Sequence, residues 1–183
     1  MEQIDLAAGR LDFDGVDPEA GMHLLSIFWN RQHANGPIVY RPVFMRDMAC
    51  QGPYFSKLLL NAMLFGASRN SPRGEYRCEV ETDEPVVISP FRQKAELLLY
   101  SNTPMKSDIP TIQALLIMSD ALFTWCDERS LSWLYSGLAM NMITDLGLHV
   151  DSRTPYSAKQ NFSAEDMEVR RRLFWAAFGK TAS

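Results

Sequence analysis

Residues 108–151 read DIPTIQALLIMSDALFTWCDERSLSWLYSGLAMNMITDLGLHVD, and the periodicity inside this stretch decides the fold class. Projected at about 100° per residue, Ile112, Leu115, Leu116, Leu122, Phe123 and Cys126 form one apolar stripe. Ile117, Met118, Ala121 and Trp125 fill the other side, leaving Gln113, Asp120 and Thr124 as a narrow polar edge. A helix apolar almost all round is an interior helix. A second helix carries Leu131, Leu134, Leu138, Met142 and Leu146 on one stripe and Trp133, Met140 and Ile143 on others, so it too is expected to be covered on more than one side.

Local signals agree with this pair. Asp108 is placed to cap the first helix, with Pro110 in its opening turn, and Asp127 or Ser130 to cap the second. Gly147 suits the left-handed position after the second helix, and Leu148 follows where a Schellman motif packs an apolar residue back onto Ile143. Gly137 lies in mid-helix, where glycine costs about 1 kcal/mol against alanine; close approach of another helix is the expected reason.

Working outward, Asp17, Pro18 and Glu19 open a helix with face Met22, Leu25, Phe28, Trp29 and Gln32, stopped by Asn35-Gly36-Pro37. Residues 1–16 read as a polar lead-in. Arg41-Pro42 starts a short helix carrying Val43, Phe44 and Met48, and residues 53–68 form a core helix with Phe55, Leu58, Leu59, Ala62, Met63 and Phe65. Residues 69–88, with an acidic cluster at Glu79, Glu81, Asp83 and Glu84, are expected to be a disordered loop. Ser89 and Pro90 open a helix carrying Phe91, Ala95, Leu98 and Leu99. Residues 149–161 read as a polar loop. Ser163 then caps a last helix, with Asp166 completing a capping box and Phe162 and Met167 in hydrophobic-staple positions. That helix is expected to run to about Phe178, with i,i+4 pairs Asp166–Arg170 and Glu168–Arg172 and a stripe of Leu173, Phe174, Ala177 and Phe178 beside Trp175.

The expected fold is therefore all-α, a bundle of antiparallel helix pairs in one domain spanning 17–178, with 179–183 as a tail. The 183 residues suffice for one such core, and a net charge of −4 builds in no general attraction to nucleic acid or an anionic membrane. Cys50, Cys78 and Cys126 are odd in number and widely spaced, which points to a reducing compartment and offers neither a disulfide framework nor a CxxC metal site. Signatures of catalysis fail. No GxSxG surrounds Ser136, because Leu134 and Leu138 stand where the glycines belong, and no HExxH, Walker or GxGxxG pattern occurs. His23, His33 and His149 are isolated, and His149 with Asp151 reads as a loop contact. Arg170 to Arg172 read as an ion-paired helix face among acids. No catalytic, cofactor or metal residue is assigned, and no enzymatic activity is expected.

Three ordered stretches, LLSIFWNRQHANGPIVYRPVFMRDM, SDALFTWCDERSLSWLYSGLAMNMITDLGLHVD and SAEDMEVRRRLFWAAF, closely resemble the fungal-specific transcription factor domain. This is the middle homology region of zinc-cluster (Zn2Cys6) regulators, here of the nitrogen-assimilation and xylanolytic activator kind. Trp133, Gly137, Ala139, Leu146, Gly147, Leu148, His149, Asp151, Arg170, Arg171, Arg172, Leu173, Phe174 and Trp175 match the family pattern position by position. The resemblance implies an all-α regulatory region in a nuclear, often dimeric regulator, acting through protein contacts and sensing a small-molecule effector. The zinc cluster is not in this sequence, so the zinc and the DNA contact of full-length relatives fall on no residue here. The family pattern continues past Phe178, and the chain is expected to be C-terminally truncated. Its last aromatic stripe would then be left for self-association, a protein partner or the remainder of the regulator. The alternative reading is a free-standing helical interaction protein that competes with full-length factors.

Overall fold

A computed structural model of the chain describes residues 5–6, 8–32, 38–71, 89–101, 106–150 and 162–181. Among the described residues the architecture is all-α, with seven helices: α1 (Pro18–Gln32), α2 (Arg41–Cys50), α3 (Lys57–Ser68), α4 (Pro90–Ser101), α5 (Ile109–Trp125), α6 (Arg129–Asp145) and α7 (Ala164–Thr181). The expected disordered loop from residue 72 onward, the Asn35-Gly36-Pro37 stop, and the polar loop from Asp151 to residue 161 lie outside the described residues.

Helices α3 and α5 form the centre. Leu59, Leu60, Met63, Leu64, Ile112, Leu115, Leu116, Met118 and Leu122 are fully buried, α1 and α4 pack on α3, and α6 packs antiparallel to α5. Helix starts follow the sequence closely. The Asp108 carboxylate accepts from the Thr111 N–H at 2.8 Å, Asp17 accepts from Ala20 N–H at 3.0 Å, and Ser56 Oγ accepts from Leu59 N–H at 3.1 Å. That last cap starts α3 at Lys57, four residues later than the Pro53 start expected. Ser89 stands at the start of α4, its carbonyl accepting from Gln93 N–H, but its own Oγ is buried without a hydrogen-bond partner.

The rotation of the helices departs from the sequence reading in four places. First, α6 is covered on one face only. Ser132, Tyr135, Ala139, Met142 and Ile143 are buried, whereas Trp133 is 71% exposed and Leu134 62%. The buried face is polar at its N-terminal end because it is satisfied across the hairpin: Ser132 Oγ donates to Ser119 O at 2.8 Å, and the hydroxyls of Ser119 and Ser136 lie 2.6 Å apart. Secondly, Phe123 and Trp125 at the end of α5 are exposed, while Gln113 is buried at 2% exposure because its Nε2 donates to Ile38 O at 2.9 Å. Thirdly, neither Asp127 nor Ser130 caps α6. The N-cap position falls on Glu128, which makes no side-chain cap bond; its carboxylate instead accepts from Nη1 and Nη2 of Arg92 from α4. Asp127 turns the chain at φ +52°.

Fourthly, the lead-in is not merely polar. Leu11 and Phe13 are in the core, and Phe13 packs so tightly on α1 that a Cβ at Gly21 would lie 2.3 Å from its ring. Asp14 secures the segment, taking Lys94 Nζ at 2.8 Å, Lys57 Nζ at 3.0 Å and Asn61 Nδ2 at 3.0 Å. Partial burial pushes its carboxyl up, but these three donors outweigh burial and hold it below the usual carboxylate range.

Candidate functional site

Two features of this framework offer chemistry to a partner: a cleft where three helices end, and an aromatic surface on α7.

The cleft has a volume of about 560 Å³. One face of each of three helices builds it: Ile27, Phe28, Asn30 and Arg31 from α1; Gly66, Ala67 and Asn70 from the end of α3; Ile117, Asp120, Ala121, Thr124 and Trp125 from α5. The spacing 117, 120, 121, 124 is one α-helical face, and Ile38 closes the floor. The C-terminal ends of α1 and α3 and the C-terminal half of α5 thus line one cleft, and Arg69 Nη2 ties α3 to α5 by donating to Trp125 O at 3.2 Å. The cleft has an apolar floor and a polar edge of Asn30, Arg31, Asn70, Asp120 and Thr124.

The α7 surface is built by a helix held through its N-terminal half. Ser163 and Asp166 form the capping box: Asp166 N–H donates to Ser163 Oγ at 3.1 Å, and Ser163 N–H donates to Asp166 Oδ2 at 2.9 Å. The Asp166 carboxylate also accepts the Tyr54 hydroxyl from the α2–α3 corner. That hydroxyl, then Ser163, hold Asp166 below the usual carboxylate range, and burial followed by Asp166 pushes the Tyr54 phenol up. Arg46 adds a 2.6 Å ion pair to Glu165. Met167 is exposed, and the expected Asp166–Arg170 pair gives way to Arg170 lying 4.0 Å over the Phe162 ring. Glu168–Arg172 forms at 2.6 Å, Arg171 shares Glu168, and the Arg172 guanidinium lies 4.5 Å from the Tyr40 ring centroid.

Farther along α7, which extends to Thr181, Val169, Leu173, Ala176 and Ala177 face inward. Phe174 is half-buried, Trp175 is 59% exposed and Phe178 53%. These three rings contact one another, with centroids 5.6 Å apart for Phe174–Trp175, 6.3 Å for Phe174–Phe178 and 6.1 Å for Trp175–Phe178. The stripe expected as a whole to be open is therefore divided, Leu173 and Ala177 inward and the aromatic cluster outward.

The remaining motif residues also divide. Ala139 and Leu148 are buried, Leu146 is half-buried, and Gly147 adopts φ +63°. Its N–H reaches Thr144 O while Leu148 N–H reaches Ile143 O at 3.0 Å, the Schellman pattern expected. His149 is exposed, and Asp151 lies outside the described residues. Gly137 corrects the reading of a close helix: a Cβ there would meet nothing within 4 Å. Trp133 and Gly137 sit one turn apart on the open side of α6. Among the described residues, no three His, Cys, Asp or Glu side chains gather as a metal site, and no helix is long and apolar enough to cross a membrane. Cys50 is exposed and Cys126 half-buried, both as thiols.

Sequence reasoning missed the cleft, the Tyr54–Asp166 link and the Asp14 cluster. Each joins residues far apart in the chain; the one local signal was Asp120 and Thr124 on the otherwise apolar α5.

The family model of the fungal specific transcription factor domain matches residues 25–179, from α1 to the end of α7. The chain belongs to this family. Among curated relatives, it is 33% identical over 173 residues to an uncharacterized transcriptional regulatory protein of Schizosaccharomyces pombe, covering 92% of this chain and 25% of the relative. It is 28% identical over 164 residues to the nitrogen assimilation transcription factor nirA of Emericella nidulans, covering 88% and 18%. It is also 28% identical over 172 residues to nit-4 of Neurospora crassa, a nitrogen assimilation transcription factor, covering 88% and 15%. The chain thus spans a quarter or less of the length of these relatives. No solved structure matches it.

Proposed function

We propose that this fungal-specific domain is the regulatory part of a nuclear zinc-cluster transcription factor. In this reading it controls transcription through helix-mediated contacts, intramolecular or with protein partners, and contributes neither catalysis nor a direct DNA contact. DNA and zinc binding belong to a zinc-cluster domain of the kind that full-length relatives carry. The observation that carries the reading is the outward aromatic cluster of Phe174, Trp175 and Phe178, placed on a helix that polar contacts hold in position. Exposed aromatics grouped in this way are anchors for a partner surface. The open Trp133 and Leu134 on α6 supply a second apolar contact.

The test places the chain between a heterologous DNA-binding domain and an activation domain and measures reporter output. The expected result is that the chain shifts output relative to a fusion lacking it, and that Trp175→Ser with Phe178→Ser abolishes the shift at equal protein level. Output that the unmutated chain leaves unchanged overturns the reading.

A further inference from the structure

Between Arg129 and Asp145, helix α6 carries no charged residue, although only one of its faces is covered. The solvent face of a surface helix ordinarily holds its charges, whereas the core of a protein interface is depleted of them and enriched in residues such as Trp and Met. The buried residues Ser132, Tyr135, Ala139, Met142 and Ile143 define the inward direction of α6. At about 100° per residue the opposite direction falls on Ser130, Gly137, Asn141 and Thr144, all short and all exposed. Trp133 and Met140 flank this seam on one side, Leu134 and Leu138 on the other. The pattern repeats at seven residues, 130, 137 and 144 along the seam and 133 and 140 beside it, the spacing of a helix that pairs with another helix. Gly137 is at the middle, and the open space beside it lets a second backbone come close.

The face complements itself. A two-fold axis opposite Gly137 sets Ser130 of one copy against Thr144 of the other, brings Trp133 beside Met140, and sets Arg129 against Asp145. Antiparallel order also lays each helix N-terminus by the other's C-terminus, while a parallel pair would bring Arg129 to Arg129 and Asp145 to Asp145. Arg129 now pairs only at the surface, 3.3 Å from an Asp127 that is 87% exposed, and its guanidinium lies 5.7 Å from the Phe123 ring centroid, which joins that ring to the start of the face. Trp133 at 71% exposure and Phe123 at 51% together leave roughly 250 Å² in solvent, given the 150 to 250 Å² that an aromatic side chain can bury. With Leu134 and the half-buried Leu138 and Met140, two copies would cover roughly 1,000 Å², the size at which a specific, complementary interface begins. We propose that the open face of α6 docks on the same face of a second copy of this chain, antiparallel and crossing at Gly137. This names the occupant of the second apolar contact in the proposed function and rests on that reading only for α6 being a contact surface. The reporter test turns on α7 and this one on the mass of the purified chain, so either can fail alone. The α7 cluster adds a weaker, concentration-dependent step to the α6 dimer.

Sedimentation equilibrium at micromolar concentration tests it in the Trp175→Ser, Phe178→Ser background, which removes the α7 step. A mass about twice 20.8 kDa is expected. Gly137→Lys puts a charge at the crossing point, from an exposed position and in a residue type that favours helix, and is expected to give a folded monomer. Gly137→Ala adds a single methyl group and is expected to keep the dimer. Orientation is read separately by mild oxidation of single-cysteine additions to the full chain. Gly137→Cys, which faces itself across the axis, is expected to cross-link well above the level of the parent chain, and Thr144→Cys, which faces Ser130, is not. If Gly137→Lys does not unfold cooperatively, the two cysteine variants decide the question. A monomer in the background chain, which would leave the face to a different protein, a dimer indifferent to Gly137→Lys, or cross-linking at Thr144→Cys equal to that at Gly137→Cys would each overturn the proposal.

Discussion

Replacing Trp175 and Phe178 together by serine separates a surface role for the end of α7 from a core role. At 59% and 53% exposure, each ring leaves roughly 100 Å² in solvent, given the 150 to 250 Å² that an aromatic side chain can bury. Together they offer about 5 kcal/mol of gross burial at ~25 cal/mol per Å². Two copies meeting through this patch would cover roughly 400 Å², well below the ~1,200 Å² of a stable interface. Self-association is therefore expected to be weak, and the patch suits an anchor within a larger contact. Within the chain, the double variant loses all three ring contacts of the cluster, two of them to Phe174, so folding stability should fall by only about 1 to 2 kcal/mol. Leu173→Ala, one turn back and fully buried, should cost about 2 to 5 kcal/mol. Urea unfolding gives these stabilities, and sedimentation equilibrium gives the association state, expected to depend on concentration for the unmutated chain and not for the double variant. A concentration-independent monomer for the unmutated chain, with the double variant destabilised as much as Leu173→Ala, would show that the rings pack inward and refute the reasoning.

The Tyr54–Asp166 link makes the docking of α7 pH-dependent. Asp166 has a depressed folded-state pKa, so its contribution is present above the unfolded carboxylate pKa and is lost as pH falls through the folded value; Tyr54→Phe should flatten that acid limb in urea midpoints taken from neutral to acid pH, and an unchanged limb would argue against the link. Gly137→Ala should stabilise the chain by about 0.5 to 1 kcal/mol, because a Cβ there meets open space in a helix, whereas Gly147→Ala at φ +63° should destabilise it by about 1 kcal/mol; thermal melts showing the same sign for both would contradict this. Gly52→Ala should be harsher, at about 2 kcal/mol or more, since its Cβ would stand 2.4 Å from the Cγ of buried Asp47, whose carboxylate accepts from Tyr54 N–H; a melting temperature unchanged by this substitution would mean the α2–α3 corner shifts freely.

What the sequence made legible was local. Asp108, Ser163 and Gly147 announce helix ends because a cap needs only residues two to four apart, and all three make the bonds their spacing implies. The rotation of α6 was not legible, since leucines, a tryptophan and methionines surround it and the periodicity has no single maximum. The decisive residues there are polar: Ser132 belongs to the buried face because Ser119 of α5 answers its hydroxyl. Gln113 follows the same rule, a polar residue made internal by one distant carbonyl, Ile38 O. In contrast, the burial of Phe13 had left a trace at Gly21, a glycine inside a helix where a side chain would strike the ring. Gly137, also inside a helix, has no such neighbour, so the same signal had two meanings that only the tertiary structure separates.

That difference bears on the family motif itself. Ala139, Leu148 and Leu173 are core positions, and packing within the described residues is a sufficient account of them. Trp133 and Trp175 are not: each is a large aromatic more than half exposed, a state that costs hydrophobic free energy and adds little to the core. Gly137 adds to the contrast, because in open space it gives up helix stability that alanine would restore. Core packing therefore accounts for one half of the motif, while a surface that something else covers would account for the other. The two halves should respond differently to substitution, core positions in folding stability and the exposed tryptophans in association or reporter output.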